Sequence, residues 1–320
     1  MTFTIVAAGS LSAKLGIGQQ IVAQEAFNQT NLEKVTFIAK YVLIYSLFIE
    51  LIGFMLLVLT WFNELGLSTA IHHAFFYTVS AFNNAGFALS SNSLTPYFNS
   101  ISINLVITAL LITGGIGFLV LIDIKTQRNW HKLNVNTKIV LLSTLIINIC
   151  AFMLIWALEA NNPATLGQLS LLDQAMTAWF QAVTPRTAGF NTVPIEELTQ
   201  ATTTLMILLM YIGGGSLSTA SGLKIGTFVV LIMATYTFLR RRDDVVIFQR
   251  TVPLTQVMKA LALTIVSIIM IFIGIFILTL TEKAPFIDIV FEVVSALSTV
   301  GLSRGLTNQL SITGEIIIIF

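Results

Sequence analysis

The sequence predicts an all-α, polytopic membrane protein made of parallel repeats around a central pore, and three observations lead to this fold class. Of its 320 residues, 56% are hydrophobic and 10% are charged, with a mean hydropathy of +0.89, whereas soluble domains carry roughly 25% charged residues. Several apolar segments approach the length of about 20 residues that a helix needs to cross a bilayer. A glycine-containing loop also recurs between apolar segments, and recurrence is a stronger signal than a single motif.

The repeated loops occupy residues 80–87, 184–190 and 295–302, where the chain reads SAFNNAGF, TPRTAGF and SALSTVGL. Their glycines, Gly86, Gly189 and Gly301, recur roughly every hundred residues, as expected of large structural repeats. Glycine has no Cβ, so the backbone around it can turn carbonyl oxygens toward a ligand or an ion. The sequence therefore predicts three equivalent loops that expose backbone.

The first unit begins with a span at 42–62, which contains Glu50, and continues with a half-helix at 72–82 that is too short to span. An ionisable group at that depth indicates either a function or a carboxylate held in a protein-lined interior. His72 and His73 start the half-helix; a helix start near water explains them better than a metal site, because no third ligand follows.

A returning span at 105–122 completes the first unit. It contains the run Gly114-Gly115-Ile116-Gly117, which we interpret as a mild break used for packing. Lys125, Arg128, Lys132 and Lys138 follow, and no Lys or Arg occurs between Lys40 and Lys125. The positive-inside rule places residues 125–138 in the cytosol and the first glycine loop outside.

The second unit repeats this plan, with a span at 139–157, an external segment at 159–185 without Lys or Arg, a half-helix, the second loop and a return from residue 199. The return is interrupted by a Gly/Ser-rich run at 213–222 and by Lys224. Broken backbone is tolerated in a membrane where protein or a water-filled cavity surrounds it. We interpret the run as a flexible loop lining the pore; a small-residue packing seam is the alternative.

The third unit follows Arg240-Arg241-Arg242, which marks the cytosolic end of the second, and a polar connector at 243–256. It has a span at 259–281, a half-helix at 288–298, the third loop and the start of a return. Cys150 lies in an apolar run and is expected to be a small buried residue. The net charge of +1, with no basic domain, gives no indication of nucleic-acid binding.

All three half-helices enter from outside in one orientation, so their C-terminal carbonyl ends would point into the membrane and favour cations. Rings of backbone carbonyls that replace a hydration shell are the basis of K⁺-selective filters. Such a ring would close with four units, of which this chain shows three.

The loop sequences NNAGF, RTAGF and TVGLS, in this order and with the Gly/Ser-rich run in place, closely resemble filter motifs of the Trk/Ktr superfamily of potassium uptake proteins, nearest to the Ktr-type membrane subunit. The resemblance covers nearly the whole chain. It implies that 1–36 is the tail of an inner helix plus a cytosolic or interfacial segment. Residues 37–124, 125–242 and 243–320 would be the second, third and incomplete fourth of the family's four pore repeats.

The resemblance implies K⁺ uptake through backbone carbonyls alone, with no catalytic residue and no cofactor. The implied selectivity filter comprises Asn84, Ala85, Gly86, Phe87, Thr187, Ala188, Gly189, Phe190, Thr299, Val300, Gly301 and Leu302. The implied gating loop comprises Gly213, Gly214, Gly215, Ser216, Ser218, Thr219, Ser221, Gly222 and Lys224. The family also implies a homodimer in the plasma membrane, filter loops facing outside, a cytosolic nucleotide-binding regulatory ring facing residues 125–138 and 240–242, and possible stimulation by Na⁺.

Two departures from the family pattern concern the ends of the chain. The family's first repeat would precede Met1, and its last inner helix, with a Gly-Arg motif, would lie beyond Phe320. On this comparison we expect a fragment that does not transport selectively by itself.

Charged residues near the loops leave alternatives open. Arg186 could repel cations beside the filter, but hydrogen bonds that tie the loop to neighbouring carbonyls explain it better. Asp173, Asp288 and Glu292 are either an outer cation-concentrating group or a solvated face.

Two other functional classes compete with this interpretation. An ion-coupled secondary transporter would favour inverted repeats and midplane ionisable groups, whereas here the units share one orientation. A membrane-embedded enzyme would need a catalytic constellation, and His72, His73 and His131 fall on opposite sides of the predicted membrane.

Overall fold

A computed structural model describes residues 32–319 of the protein, with side chains described for residues 40–319. Residues 1–31, most of the predicted interfacial segment, and Phe320 lie outside the described residues. In chain order the helices are α1 (Leu32–Phe82), α2 (Ile101–Ile116), α3 (Phe118–Gln127), α4 (Val135–Glu159), α5 (Leu171–Val183), α6 (Gln200–Tyr211), α7 (Ile225–Leu239), α8 (Leu254–Thr281), α9 (Phe286–Leu297) and α10 (Ile312–Ile319). Four short 3₁₀ turns lie in the connections, at Thr95–Tyr97, Trp130–Lys132, Ile195–Glu197 and Thr307–Gln309.

The prediction of an all-α, polytopic membrane protein is confirmed. Within residues 32–319, three helices are long and apolar enough to cross a membrane, namely Lys40–Phe82, Val135–Glu159 and Leu254–Thr281. The bent pair α2 and α3 would make a fourth span if it is counted as one. The chain is therefore a multi-pass membrane protein.

α1 contains both the first span and the first half-helix, and Gly66 separates them. Its φ of 74° and ψ of 163° break the helix at that point. The sequence predicted a span at 42–62 and a half-helix at 72–82, so both predicted segments were too short. The reason is that an α-helix satisfies its own backbone hydrogen bonds and can continue through polar residues such as Asn63 and Glu64 until a glycine ends it.

The returning segment of the first unit is sharply bent, which corrects the prediction of a mild break in a span at 105–122. α2 and α3 meet at an angle of 89°, and the residue between them, Gly117, has φ of 97°. Residues other than glycine rarely adopt this backbone conformation, so glycine is the residue that allows the bend. The carbonyl of Ser216 occupies the space where a Cβ on Gly117 would lie.

The second return is interrupted as predicted, because α6 ends at Tyr211 and α7 begins at Ile225. The predicted polar connector at 243–256 is more ordered than expected, since β1 (Val246–Ile247) pairs antiparallel with β2 (Arg250–Thr251). Phe248 and Gln249 turn this hairpin with φ of 48° and 62°. A two-residue turn of this kind usually carries Asn or Gly, so the sequence held no hairpin signal.

Hydrophobic clusters join successive units to one another. The largest combines side chains of the first unit, including Trp61, Tyr77 and Phe82, with Phe180 and Phe190 of the second. Another combines the second return with the third unit, through Met206, Met210, Phe291, Val294 and Val300. Each cluster contains residues of a glycine loop or of its half-helix, so the same packing that holds the units together also holds the loops.

The outward faces of the long helices are apolar and exposed, as expected of surfaces that face lipid. Phe272 and Phe276 of α8 are 66% and 57% exposed. Cys150 is also exposed, so the expectation of a buried cysteine is wrong. An apolar run in a membrane protein does not specify burial in protein, because lipid accepts the same side chains.

Candidate functional site

The three glycine loops share one backbone conformation. Each follows the C-terminus of a half-helix, and its glycine has positive φ: 71° at Gly86, 80° at Gly189 and 86° at Gly301. The residue two positions earlier is also left-handed in every loop, with φ of 50° at Asn84, 67° at Thr187 and 52° at Thr299. Left-handed Asn and Thr are uncommon, so this repetition indicates a common fold of the loops.

A hydroxyl group closes each loop in the same way. It comes from the end of the preceding helix and donates to the carbonyl oxygen of the residue that follows the glycine. The three bonds are Ser80 Oγ to Phe87 O at 2.8 Å, Thr184 Oγ1 to Phe190 O at 2.5 Å and Ser295 Oγ to Leu302 O at 2.6 Å. That carbonyl is thereby turned back toward the half-helix, which fixes the turn at the glycine.

The three glycines lie close to one another. A Cβ built on Gly86 would be 2.7 Å from the carbonyl oxygen of Ala188 and 2.9 Å from Gly189 Cα. A Cβ on Gly189 would overlap with the carbonyl oxygen of Val300 and lie 3.1 Å from Gly86 Cα. A Cβ on Gly301 would be 4.0 Å from Gly189 Cα. The loops therefore meet around Gly189, with backbone carbonyls at the contact.

The second loop lies between the other two. Residues 181–190 are all buried, whereas Ala85, Phe87 and Gly301 are exposed. The difference is clearest at the aromatic position, where Phe87 is 69% exposed and Phe190 is fully buried. The structure thus brings together all three loops predicted from the sequence, in the order of the chain.

The Gly/Ser-rich run at 213–222 is a non-helical loop packed against the bend at Gly117. Three backbone N–H groups connect the two segments. They are Gly215 N–H to Gly115 O at 2.8 Å, Thr219 N–H to Gly114 O at 3.2 Å and Phe118 N–H to Leu217 O at 3.0 Å. The helix ends are thereby satisfied inside the protein, which is the condition for broken backbone at membrane depth.

The break predicted at 213–222 is observed, and the non-helical loop is also closely packed. A Cβ on Gly214 would lie 2.5 Å from Gly115 O, and one on Gly215 would overlap with Ile116 O. A Cβ on Gly114 would overlap with Phe82 O. Glycine is needed at these positions because another backbone occupies the space of the side chain.

One side chain links the loop at 213–222 to the first glycine loop. Thr219 Oγ1 donates to the carbonyl oxygen of Phe82 at 3.1 Å, and Phe82 is the last residue of α1. Ser218 Oγ donates to Gly215 O at 2.7 Å within the loop, and Lys224 Nζ donates to Ala220 O at 2.5 Å. The loop is thus held by hydrogen bonds within itself and is attached to the C-terminal end of the first half-helix.

Arg186 of the second glycine loop is buried, and no carboxylate of residues 40–319 forms an ion pair with it. Its guanidinium donates to Asn148 Oδ1 at 3.2 Å, to Thr144 Oγ1 at 3.4 Å and to Gly213 O at 3.4 Å. Among the described residues, its Nε has no hydrogen-bond partner. These contacts agree with the predicted tying role, but the acceptors are mainly side chains of α4 rather than neighbouring carbonyls.

The acidic residues Asp288 and Glu292 are neither a free cation-concentrating group nor a solvated face, which corrects the prediction for both. Asp288 Oδ1 accepts from Arg304 Nε at 2.6 Å. Glu292 is 5% exposed and accepts from Ser303 Oγ at 2.7 Å and from Thr307 Oγ1. Asp173 belongs to the N-cap of α5, where it accepts from Ser170 Oγ at 2.7 Å.

Two cavities adjoin the glycine loops. One, of about 510 Å³, is bordered by Gly189, Gly301 and the polar segments that follow these loops. The other, of about 460 Å³, is bordered by the C-terminal end of α9, by α8 and by Ser221, Gly222 and Lys224. The third glycine loop therefore has space on the side of its half-helix end as well as beyond its glycine.

The remaining predicted positions have simple explanations. Glu50 Oε1 accepts from Asn83 Nδ2 at 3.1 Å, so this carboxylate contacts the residue before the first segment of the predicted filter. His73 packs against Trp61, with ring centroids 5.9 Å apart. Among the described residues, no group of three or more His, Cys, Asp or Glu side chains is arranged to hold a metal ion.

Sequence reasoning missed the residues that join one unit to the next. Asn148 and Thr144 are polar residues inside a spanning helix, and this position in an apolar segment was their only signal. Arg304 follows the third glycine by three residues and was not singled out. Its partners are Asp288 of its own unit and three residues of the second unit, all distant in the chain, so nothing in its local sequence indicated them.

Comparison with known proteins agrees with this architecture. Residues 2–320 match the TrkH family, described as cation transport proteins. The Ktr system potassium uptake protein B of Bacillus subtilis is 42% identical over 319 residues, which cover 100% of this chain and 72% of that protein. The protein of the same name from Vibrio alginolyticus is 41% identical, over 100% of this chain and 70% of that one.

A solved structure shares the fold. The potassium transporter TrkH of Vibrio parahaemolyticus superimposes with a TM-score of 0.74 and 18% identity. The match covers 99% of this chain and 65% of the TrkH chain, so the protein spans about two thirds of that transporter. At this identity the likeness concerns the fold alone.

Proposed function

Because the chain belongs to the TrkH family of cation transport proteins, we propose that it is a pore-forming subunit for potassium uptake. K⁺ would pass the junction of the three glycine loops, coordinated by backbone carbonyls. The observation that carries this proposal is the convergence of three glycines with positive φ, Gly86, Gly189 and Gly301, each at the end of a half-helix. The names of the Bacillus subtilis and Vibrio alginolyticus relatives support K⁺ as the cation.

Electrostatics supports cation passage at this junction. The C-terminal end of a helix carries a partial negative charge of about half an elementary charge. Two half-helices in separate helices, α5 and α9, end at Val183 and Leu297, directly before their loops. Carbonyl oxygens of Ala188 and Val300 lie at the contact between the loops. A dehydrated K⁺ ion at this point would meet oxygen dipoles and no cationic side chain from the filter segments, since Arg186 is turned toward α4.

The loop at 213–222, with Lys224, serves in this proposal as the gate. It lies between the bend at Gly117 and the cavity next to α8, and its hydrogen bonds to α2 hold it in place. Opening requires these bonds to exchange partners, which is possible for a non-helical segment that has few apolar contacts to lose.

The family resemblance extends the proposal to assembly and surroundings. We expect a homodimer in the plasma membrane, with the glycine loops facing outside, and a cytosolic nucleotide-binding ring that contacts residues 125–138 and 240–242. Stimulation by Na⁺ is expected for this branch of the family. The positive charge at the end of α7, from Arg240 to Arg242, supports the cytosolic placement.

The test is growth at limiting K⁺ of cells that lack their own K⁺ uptake. We would express the 320-residue chain and, in parallel, a fusion with the parts of the Bacillus subtilis relative that it does not match. Rescue by either form supports the proposal. If neither form rescues growth, with both shown to be inserted in the membrane, the proposed function is wrong.

Thr219→Val tests the gate. Valine has a similar shape but cannot donate to Phe82 O, and one such hydrogen bond contributes about 0.5–1.5 kcal/mol. The closed loop is therefore expected to be less populated, and the initial rate of Rb⁺ uptake should rise by about two- to tenfold.

The control for this prediction is Thr235→Val. Its hydroxyl donates to Leu231 O on the exposed face of α7, so uptake should stay at the parental rate. An unchanged or slower rate in Thr219→Val, at equal amounts in the membrane, would contradict the gating role.

A further inference from the structure

A single guanidinium connects the second and third units on the side of the 510 Å³ cavity. Arg304 Nε donates to Asp288 Oδ1 at 2.6 Å, within the third unit. Arg304 Nη1 donates to Ile195 O and to Thr203 Oγ1, both at 2.9 Å. Arg304 Nη2 donates to Glu196 O at 3.0 Å. We call these five residues the Arg304 clasp.

The acceptors of the clasp follow the second glycine loop closely. Ile195 and Glu196 form the turn that begins five residues after Phe190, and Thr203 lies in the first turn of α6. Ile195 and Thr203 are 3% and 1% exposed. Two of the three acceptors in the second unit therefore belong to residues packed in the core, and the third, the carbonyl oxygen of Glu196, belongs to an exposed residue beside them.

The donor end of the clasp is equally well held. Arg304 comes three residues after Gly301, and the intervening Ser303 donates to the buried carboxylate of Glu292 on α9 at 2.7 Å. Ser303 Oγ also accepts from Gly305 N–H at 3.1 Å. The segment after the third glycine is thus fixed on its own half-helix by an acid and on the second unit by an arginine.

This arrangement differs from an ordinary surface ion pair. The side chains of Arg304 and Asp288 are 13% and 19% exposed, and the guanidinium uses four hydrogen bonds to reach two units. Exposed ion pairs contribute little to stability. A planar guanidinium that donates to several acceptors, in contrast, fixes the relative positions of those acceptors. Asp288 also neutralises the positive charge next to a cation route.

We propose that Arg304 is a positioning residue for ion selection. Through the clasp it fixes the distance between the second and third glycine loops, on which discrimination between K⁺ and Na⁺ depends. This proposal rests on the proposed function. The size and flexibility of a carbonyl cage decide which dehydrated ion it holds, and Gly189 and Gly301 lie at the two sides of the junction that the clasp closes.

The test measures Rb⁺ uptake into proteoliposomes, and its inhibition by Na⁺, for the form of the chain that rescues growth. Arg304→Ala is expected to keep Rb⁺ uptake while the preference for Rb⁺ over Na⁺ falls by about fivefold or more, because three hydrogen bonds between the units are lost. Arg304→Lys keeps the charge but not the planar fork, so its preference should lie between those of Arg304→Ala and the parent.

Two further variants separate position from charge. Lys283→Ala removes an exposed positive charge just after the C-terminal end of α8. This variant should leave the preference for Rb⁺ over Na⁺ unchanged. Asp288→Asn keeps an oxygen acceptor for Arg304 but leaves the guanidinium charge uncompensated. It should raise the Rb⁺ concentration for half-maximal uptake while the preference stays near that of the parent.

The outcomes distinguish a failure of the clasp proposal from a failure of the proposed function. If the parent takes up Rb⁺ and Arg304→Ala retains the parental preference, the clasp has no role in selection and the proposed function stands. If Arg304→Ala does not insert, Arg304→Lys decides, and a parental preference in that variant overturns the clasp. If the parent inserts and shows no uptake, the proposed function fails first and the clasp fails with it.

Discussion

Gly189→Ala is expected to lower the preference for K⁺ over Na⁺ by about five- to thirtyfold, because a left-handed non-glycine residue costs about 1–2 kcal/mol. The added Cβ would also overlap with Val300 O and lie 3.1 Å from Gly86 Cα. The second loop is buried between the other two, so neither neighbour can move away freely. The measurement is isotopic K⁺ uptake in competition with Na⁺, in the form of the chain that rescues growth.

Two other glycines serve as controls for this result. A Cβ on Gly226 in α7 would make an ordinary contact of 3.6 Å with Asn136 Oδ1, so Gly226→Ala should behave like the parent. Gly301→Ala has the strain of φ at 86° but no close contact, and its effect should be intermediate. Equal preference in Gly189→Ala and Gly226→Ala would show that the loop junction does not select ions.

Arg186→Met is expected to reduce K⁺ uptake by at least about tenfold, because up to three charge-assisted hydrogen bonds of about 1.5–3 kcal/mol each are removed. Without them the second loop loses its attachment to Asn148, Thr144 and Gly213. Burying a charge without a carboxylate costs desolvation, and methionine fills a similar volume. The loss of these hydrogen bonds and the relief of desolvation oppose each other, so the melting temperature of the purified protein should change little.

The split between activity and stability is what tests this role. Arg250→Met, which removes an exposed arginine of β2, should change neither quantity. A large fall in the melting temperature of Arg186→Met would show that the arginine maintains the fold as a whole. Parental uptake in that variant would show that the loop does not depend on its attachment.

The sequence allowed the loops to be predicted because their information is local. Positive φ is accessible to glycine because of its own chemistry, and Gly86, Gly189 and Gly301 all adopt it. The recurrence of these glycines in matching sequence contexts was visible without a structure. The break at 213–222 was visible for the same reason, since four glycines in ten residues disfavour a helix.

The rest depends on partners that are distant in the chain. The 89° bend at Gly117 is sharper than one glycine requires, because Leu217 and Ser216 of the next unit fit against it. The fates of Asp288 and Glu292 were unpredictable for a similar reason. The local sequence around a carboxylate is the same whether the group faces water at the pore mouth or anchors a neighbouring segment. Only the packing of the folded chain decides between these two roles.

The central claim is that K⁺ is bound by backbone carbonyls where the three glycine loops meet. The most direct measurement is anomalous diffraction from crystals of the transport-competent form grown in Rb⁺. We expect an anomalous peak next to Gly86, Gly189 and Gly301, on the side where the carbonyls of Ala188 and Val300 lie. Rb⁺ sites elsewhere in the protein, with none at this junction, would contradict the account.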